Sequence, residues 1–137
     1  KLGQHNLTQY WSRKVVDKAF SGLSPSTGYN GDEDQGLMGS LAVIMKMGLF
    51  QMNGGTDENS EYQIGSPIFN QITINLNPDY YKGKKFVIKA NNNNPNNVYV
   101  NKVELNKKTI KNFSINHSDI VNGGELILEM SNSKSEK

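Results

Sequence analysis

Cysteine is absent from the 137 residues. That removes disulfides, thiolate zinc sites and thiol nucleophiles, and leaves the redox compartment open. No run of 18 apolar residues occurs, so no membrane span is expected. No basic stretch followed by an apolar core is present, so no signal peptide is expected within these residues. Hydrophobic residues are scarce at 35%, and charged residues reach only 20%. Neutral polar and turn-forming residues fill the gap, with 19 Asn and 13 Gly among 137 positions. That much turn chemistry excludes an all-helical bundle. Charge of one sign is lacking too, since 15 basic against 13 acidic residues leave a net charge of +2. No field for nucleic acid or anionic membrane follows from that balance, and neither partner is expected. The length suits about one domain. Residue 1 is Lys rather than Met, which suggests a processed chain or a piece of a longer one.

The pattern changes near residue 60. A first helix is expected from Asn6 or Thr8, either of which can cap it, carrying Tyr10, Trp11, Val15, Ala19 and Phe20 at roughly helical spacing. Gly22 and Pro25 stop it. A second helix is expected from about Gln35 to Met47, with Leu37, Met38, Leu41, Ile44, Met45 and Met47 around most of its circumference. Such a helix looks buried on more than one side, and Gly48 ends it. Near-alternating stretches at 62–65, 68–76, 84–90, 97–105 and 125–130 read as strands, with Lys82-Gly83 and Asn106-Lys107 where hairpin turns fall. Residues 91–97 are Asn-rich and fit a loop between strands. The expected division is terminal helices over 1–55, a β-rich segment over 56–131 and a frayed tail over 132–137. The two helices either pack on the sheet or are the last pair of a larger helical domain.

The densest chemical cluster is Tyr29-Asn30-Gly31-Asp32-Glu33-Asp34-Gln35-Gly36. Three consecutive acids repel one another, and a helix N-terminus near Gln35 offsets part of that through its free N–H groups and dipole. The plainest reading makes Asp34 the helix cap and leaves the other acids solvated. An EF-hand reading fails, because Gln35 falls where Gly is required and Leu41 where the bidentate Glu belongs. An irregular calcium site stays open. So does acid–base catalysis, since Asp32 and Asp34 lie two apart on a Gly-flanked loop that can aim a carboxylate at water.

The remaining candidates are weaker. Asn116-His117-Ser118-Asp119 contains the residue types of a nucleophilic triad, but neighbours in sequence do not make that geometry, and His117 reads as a turn residue. His5 stands before a helix and reads as a surface or cap residue. With no second His or Cys near either, zinc is not expected. Three Asn-x-Ser/Thr matches carry no meaning in so Asn-rich a chain. Tyr80-Tyr81 beside Lys82, Lys84 and Lys85 has the make-up of a nucleic-acid contact, but lysines guarding a strand edge are the commoner cause.

Gly31-Asp32-Glu33-Asp34-Gln35-Gly36-Leu37-Met38-Gly39-Ser40 resembles the family 92 glycoside hydrolases, calcium-dependent α-mannosidases abundant in gut Bacteroidetes. The resemblance continues through Gly48-Leu49-Phe50, the Tyr62–Phe69 segment with its Ile-Gly-Ser-Pro run, Val98-Tyr99-Val100, Leu105-Asn106, His117-Ser118-Asp119-Ile120 and Gly123-Gly124-Glu125-Leu126. It covers nearly the whole chain. It implies an α+β fold, the last helices of an (α/α) toroid barrel followed by a small antiparallel β-rich C-terminal domain, in a C-terminal piece of a longer enzyme. It implies an exo-acting, inverting α-mannosidase of α-1,2 type, with calcium as cofactor, α-mannoside glycans and the rest of the parent chain as partners, and a periplasmic, secreted or cell-surface location. By position, Asp34 and Asp32 are the candidates for general base or water-orienting group, with Asp34 preferred. The general acid lies outside this chain, and the piece alone is expected to be inactive. Leu37 stands where Gln is usual, Leu41 where an aromatic is usual and Asp32 where Asn is common, which bears on substrate choice.

Two other classes compete with the enzyme reading. One is a carbohydrate-binding β-module with Tyr80, Tyr81 and Tyr99 as its stacking platform. The other is a structural module without a ligand. If the chain is cut from a larger helical domain, the helix at 37–50 is expected to expose apolar surface and drive self-association or partial disorder of residues 1–55.

Overall fold

The computed structural model describes residues 3–24, 26–28, 31–32 and 34–134. Two helices come first, α1 (His5–Ala19) and α2 (Leu37–Lys46). Strands β1 (Leu49–Phe50), β2 (Glu61–Ile64), β3 (Gln71–Asn75), β4 (Lys85–Asn91), β5 (Tyr99–Leu105), β6 (Lys108–Ile110) and β7 (Ser114–Asn116) follow. A short helix α3 (His117–Val121) then leads into strand β8 (Gly124–Ser131). The fold is α+β. Five of these strands match the alternation in the sequence. β1, β6, β7 and α3 are too short to announce themselves.

The strands form two sheets. One has the order β1-β2-β7, the other β3-β4-β8-β5-β6. The larger sheet is mixed rather than wholly antiparallel, because β4 runs parallel to β8 with Phe86 opposite Gly124 and Ile88 opposite Leu126. Every other pairing is antiparallel. Alternation on β4 and β8 turns Phe86, Ile88 and Ala90 to the same side as Leu126, Leu128 and Met130. These meet Leu49, Ile64 and Ile115 of the smaller sheet, Phe113 and Ile120 in one continuous core. Phe86, Ile88, Leu126 and Leu128 are wholly buried, each contributing on the order of 1.5–3 kcal/mol of transfer free energy. At the β5–β6 hairpin Asn106 and Lys107 have φ of 48° and 68°, the left-handed pair of a two-residue turn whose twist matches its strands. The lysines beside Tyr80-Tyr81 do not guard an edge: Lys85 opens β4, an internal strand, and β3 and β6 are the edges.

The helices form a second, smaller core of Val16, Phe20 and Met45, with Leu41, Ala42, Phe50 and Ile68 against it. The inward face of α1 differs from the one its apolar residues suggest. Gln9, Arg13 and Val16 are buried, and Phe20 follows just beyond the helix. Trp11 and Val15 face outward. The reason is backbone chemistry. Val100 N–H donates to Gln9 Oε1 at 3.1 Å, and Arg13 Nη2 donates to the carbonyl of Pro67. On α2 only Met45 is buried, while Leu37 and Val43 are exposed, so this helix is covered on one side rather than several.

Gly48 ends α2 as the sequence indicates, at φ +81°, and a Cβ there would lie 2.7 Å from Pro67 Cδ. Its carbonyl accepts from Gly65 N–H at 2.8 Å, and Ile68 N–H donates to Lys46 O at 3.1 Å. The Ile-Gly-Ser-Pro run is thus the crossing point where α1, α2 and the smaller sheet are tied together. Ser66 and Pro67 within it are fully buried.

Candidate functional site

The acidic loop leads into α2 through an unusual backbone. Asp34, Gln35 and Gly36 have φ of 54°, 61° and 93°, three successive left-handed residues, and Gly31 has φ +94°. Left-handed backbone at Asp34 and Gln35 costs about 1 kcal/mol or more at each residue. Asp34 O accepts from Leu37 N–H at 3.2 Å, closing the turn. The helix cap is Gly36, whose carbonyl accepts from Ser40 N–H at 3.1 Å. Asp34 is therefore not the cap, which corrects the plainest reading of the sequence. Its carboxylate and that of Asp32 are exposed, and among the described residues neither joins a hydrogen bond or ion pair. Tyr29, Asn30 and Glu33 lie outside the described residues.

Three clefts stand out among the described residues. The first, about 600 Å³, lies between the start of α1 and strands β2 and β7. Its wall carries Glu61, which accepts from the Ser114 hydroxyl, and His5 stacks on Phe113 at 4.0 Å between ring centroids. The second, about 420 Å³, is bordered by Arg13, Asp17, Asn70 and Asn93. The third, about 660 Å³, is an apolar groove between α2, β3 and α3 with Val43, Ile74 and Tyr81 on its walls. Asp32 and Asp34 line none of these three. The chain presents its two candidate acids on a surface turn, outside these clefts.

Calcium takes 6–8 oxygen ligands. Among the described residues no three His, Asp or Glu side chains converge. The triad of residue types at 117–119 also dissolves. Asp119 Oδ2 accepts from Asn116 N–H at 2.9 Å as half of a reciprocal cap on α3, and His117 Nδ1 faces Tyr62 Oη at 3.3 Å. His117 thus opens a short helix. His5 is the first residue of α1, held against Phe113.

The tyrosines do not form one platform. Tyr80 and Tyr81 lie just before β4, at the end of the sheet where Phe86 pairs with Gly124, whereas Tyr99 pairs with Ser131 at the other end of β8. Those ends are roughly 20 Å apart for strands of this length.

The model for the glycosyl hydrolase family 92 catalytic domain matches residues 1–132. The chain belongs to glycosyl hydrolase family 92. A family 92 inverting mannosidase of Bacteroides thetaiotaomicron superposes with a TM-score of 0.76 at 36% identity, over 93% of this chain and 16% of that one. A family 92 α-mannosidase of the same species gives 0.79 at 27% identity, over 92% of this chain and 16% of its own. A protein of Arthroderma benhamiae described as an uncharacterized secreted glycosidase is 33% identical over 112 residues, 80% of this chain and 14% of its length. The chain thus spans about one-sixth or less of these relatives. A span of that size has no room for a complete toroid barrel, of which the resemblance assigns only the last helices to this chain.

Within the family frame, the two departures at the start of α2 have different settings. Leu37 is exposed, while Leu41 is half-buried against the Val16, Phe20 and Met45 cluster. Sequence reasoning missed Gln9 and Arg13. Their only signal was a place on the helical stripe that continues into Val16 and Phe20, and what they bind is backbone, which no residue pattern displays.

Proposed function

We propose that this chain is the C-terminal part of an inverting, exo-acting α-mannosidase, that its acidic loop supplies the group activating water, and that the chain alone does not hydrolyse glycosides. The observation that carries this reading is the family 92 match across residues 1–132, with mannosidases as structural neighbours at 27% and 36% identity. α-1,2-Linked mannosides are the proposed substrates.

Inversion needs two carboxyl groups about 6.5–9.5 Å apart, one protonating the leaving oxygen and the other drawing a proton from water on the opposite face of the sugar. Asp34 is the proposed base and Asp32 the group that orients the water. Support comes from their exposure and from the absence, among the described residues, of a cation that would hold either carboxylate away from water. The left-handed turn at 34–36 fixes the direction in which Asp34 leaves the backbone. A single turn of this kind serves one side of the sugar, so the acid comes from the remainder of the longer polypeptide.

Calcium enters through the family resemblance alone, and when bound it would supply charge for holding sugar hydroxyls. Export to the periplasm, cell surface or medium is proposed on the same footing, and the secreted glycosidase of A. benhamiae points the same way. The test is mannose release from α-1,2-mannobiose by the longer polypeptide, with the anomer of the first product read by NMR. β-Mannose as first product is expected; α-mannose, or no release from any α-mannobiose, overturns the proposal.

A further inference from the structure

The cleft beside Arg13 holds a set of polar groups that the fold does not use up. Arg13 is 4% exposed. Its Nη2 donates to Pro67 O and, at 3.2 Å, to Asn93 Oδ1, while its buried Nε has no protein partner. A buried guanidinium N–H without an acceptor is costly, and Gln9 Nε2 and Ser66 Oγ are left in the same state. Burial lowers the Arg13 pKa from its ordinary value, and the charge of Asp17 one helical turn on partly offsets this. Asp17 borders the same cleft and is itself exposed. Asn93 spends its oxygen on Arg13 and keeps its amide hydrogens. Asn70 uses its backbone carbonyl to accept from Ala90 N–H, and its side chain is exposed. Ile68 and Pro95 supply apolar wall. Asn94 is different: its Oδ1 already accepts from the N–H groups of Asn96 and Asn97, so it builds the loop.

We propose that this cleft is a binding site for a neutral sugar unit of a glycan, held by the acceptors of Asp17 and Asn70 and the donors of Arg13 and Asn93. One cation and one anion leave the site without net charge. A bound carboxylate or phosphate would meet Asp17 at close range, and a bound cation would meet Arg13. Hydroxyl groups suit the set, because each donates one hydrogen bond and accepts others. The 420 Å³ volume falls in the usual range for small-ligand pockets, about 300–1,000 Å³. The site is built from α1, the segment after β2 and the loop between β4 and β5, whereas the acidic loop precedes α2. It does not rest on the catalytic reading.

The experiment is an amide NMR titration of the 137-residue chain with methyl α-mannopyranoside, at a concentration where sedimentation velocity shows monomer. Methyl β-galactopyranoside tests how far the site discriminates, and sodium acetate serves as the anion control. Saturable shifts confined to residues 68–70 and 93–97 are expected with a sugar, and they persist in Asp34→Asn. Asp17→Asn, on an exposed position, is expected to weaken binding about tenfold, as loss of a hydrogen bond to a charged group does. Asn70→Ala is a second variant outside the core and is expected to weaken it as well. No saturable shift with either sugar overturns the proposal. So do shifts with acetate alone, or sugar shifts unchanged in both variants. Loss of hydrolysis in Asp34→Asn of the longer polypeptide bears on the catalytic proposal and leaves this one untouched.

Discussion

The backbone N–H of Val100 donates to Oε1 of Gln9 at 3.1 Å across 91 residues of chain. A side chain from the first helix thereby completes the hydrogen bonding of a strand in the larger sheet. Both residues are buried, at 1% exposure each. Gln9→Ala leaves a buried N–H without a partner and opens a gap beneath α1. Stability is expected to fall by about 1–3 kcal/mol. Chemical denaturation measures this, and amide exchange at Val100 should quicken more than at Leu128. An unchanged midpoint would mean that α1 is not docked through this contact.

Gly48 faces two constraints at once. Its φ of +81° disfavours any side chain, and a Cβ would lie 2.7 Å from Pro67 Cδ. Gly54, at φ +59° with nothing within 4 Å, faces only the first. Gly54→Ala is expected to cost about 1 kcal/mol, and Gly48→Ala about 2 kcal/mol or more, because Pro67 is fixed among Arg13 and the helix ends. Thermal denaturation of the two variants side by side checks the ranking. Equal losses would show that the Ile-Gly-Ser-Pro crossing yields to an added methyl.

Apolar side chains remain outside both cores. Leu7, Trp11 and Val15 recur every fourth residue on the outer face of α1, and Leu37 and Val43 are exposed on α2. The chain by itself is expected to self-associate, as a surface of this kind does in water. Sedimentation velocity across a concentration series reads it, and Trp11→Gln should shift the distribution toward monomer. A monomer at every concentration with the wild-type sequence would contradict the expectation.

Strand periodicity was legible because β4 and β8 alternate cleanly, and every second residue of each enters one core. The stop at Gly48 and the turn at Asn106-Lys107 were legible because left-handed backbone selects its residues. The parallel pairing of β4 with β8 was not, since both strands read alike whichever way they run. The inward face of α1 was misread because Gln9 and Arg13 are buried by the backbone groups they bind. The cap on α2 was misread for a related reason: Asp34 has the right chemistry, but left-handed backbone at Asp34 and Gln35 moves the cap to Gly36. The family was legible from the loop and from the Tyr62–Phe69 segment, and of these the second is the structural crossing rather than the chemistry.

The most direct test of the catalytic account is the hydrolysis rate of the longer polypeptide carrying Asp34→Asn. α-1,2-Mannobiose is the substrate, with calcium and with chelator, beside wild type and Asp32→Asn. The exposed position of Asp34 means the fold should survive the change, and circular dichroism checks this independently. If Asp34 is the base, kcat falls by at least about a hundredfold while substrate binding persists, as expected for removing a general base. Asp32→Asn loses less, and chelator abolishes activity in the wild type. A wild-type rate in Asp34→Asn would contradict the account and take the base out of the acidic loop's last residue.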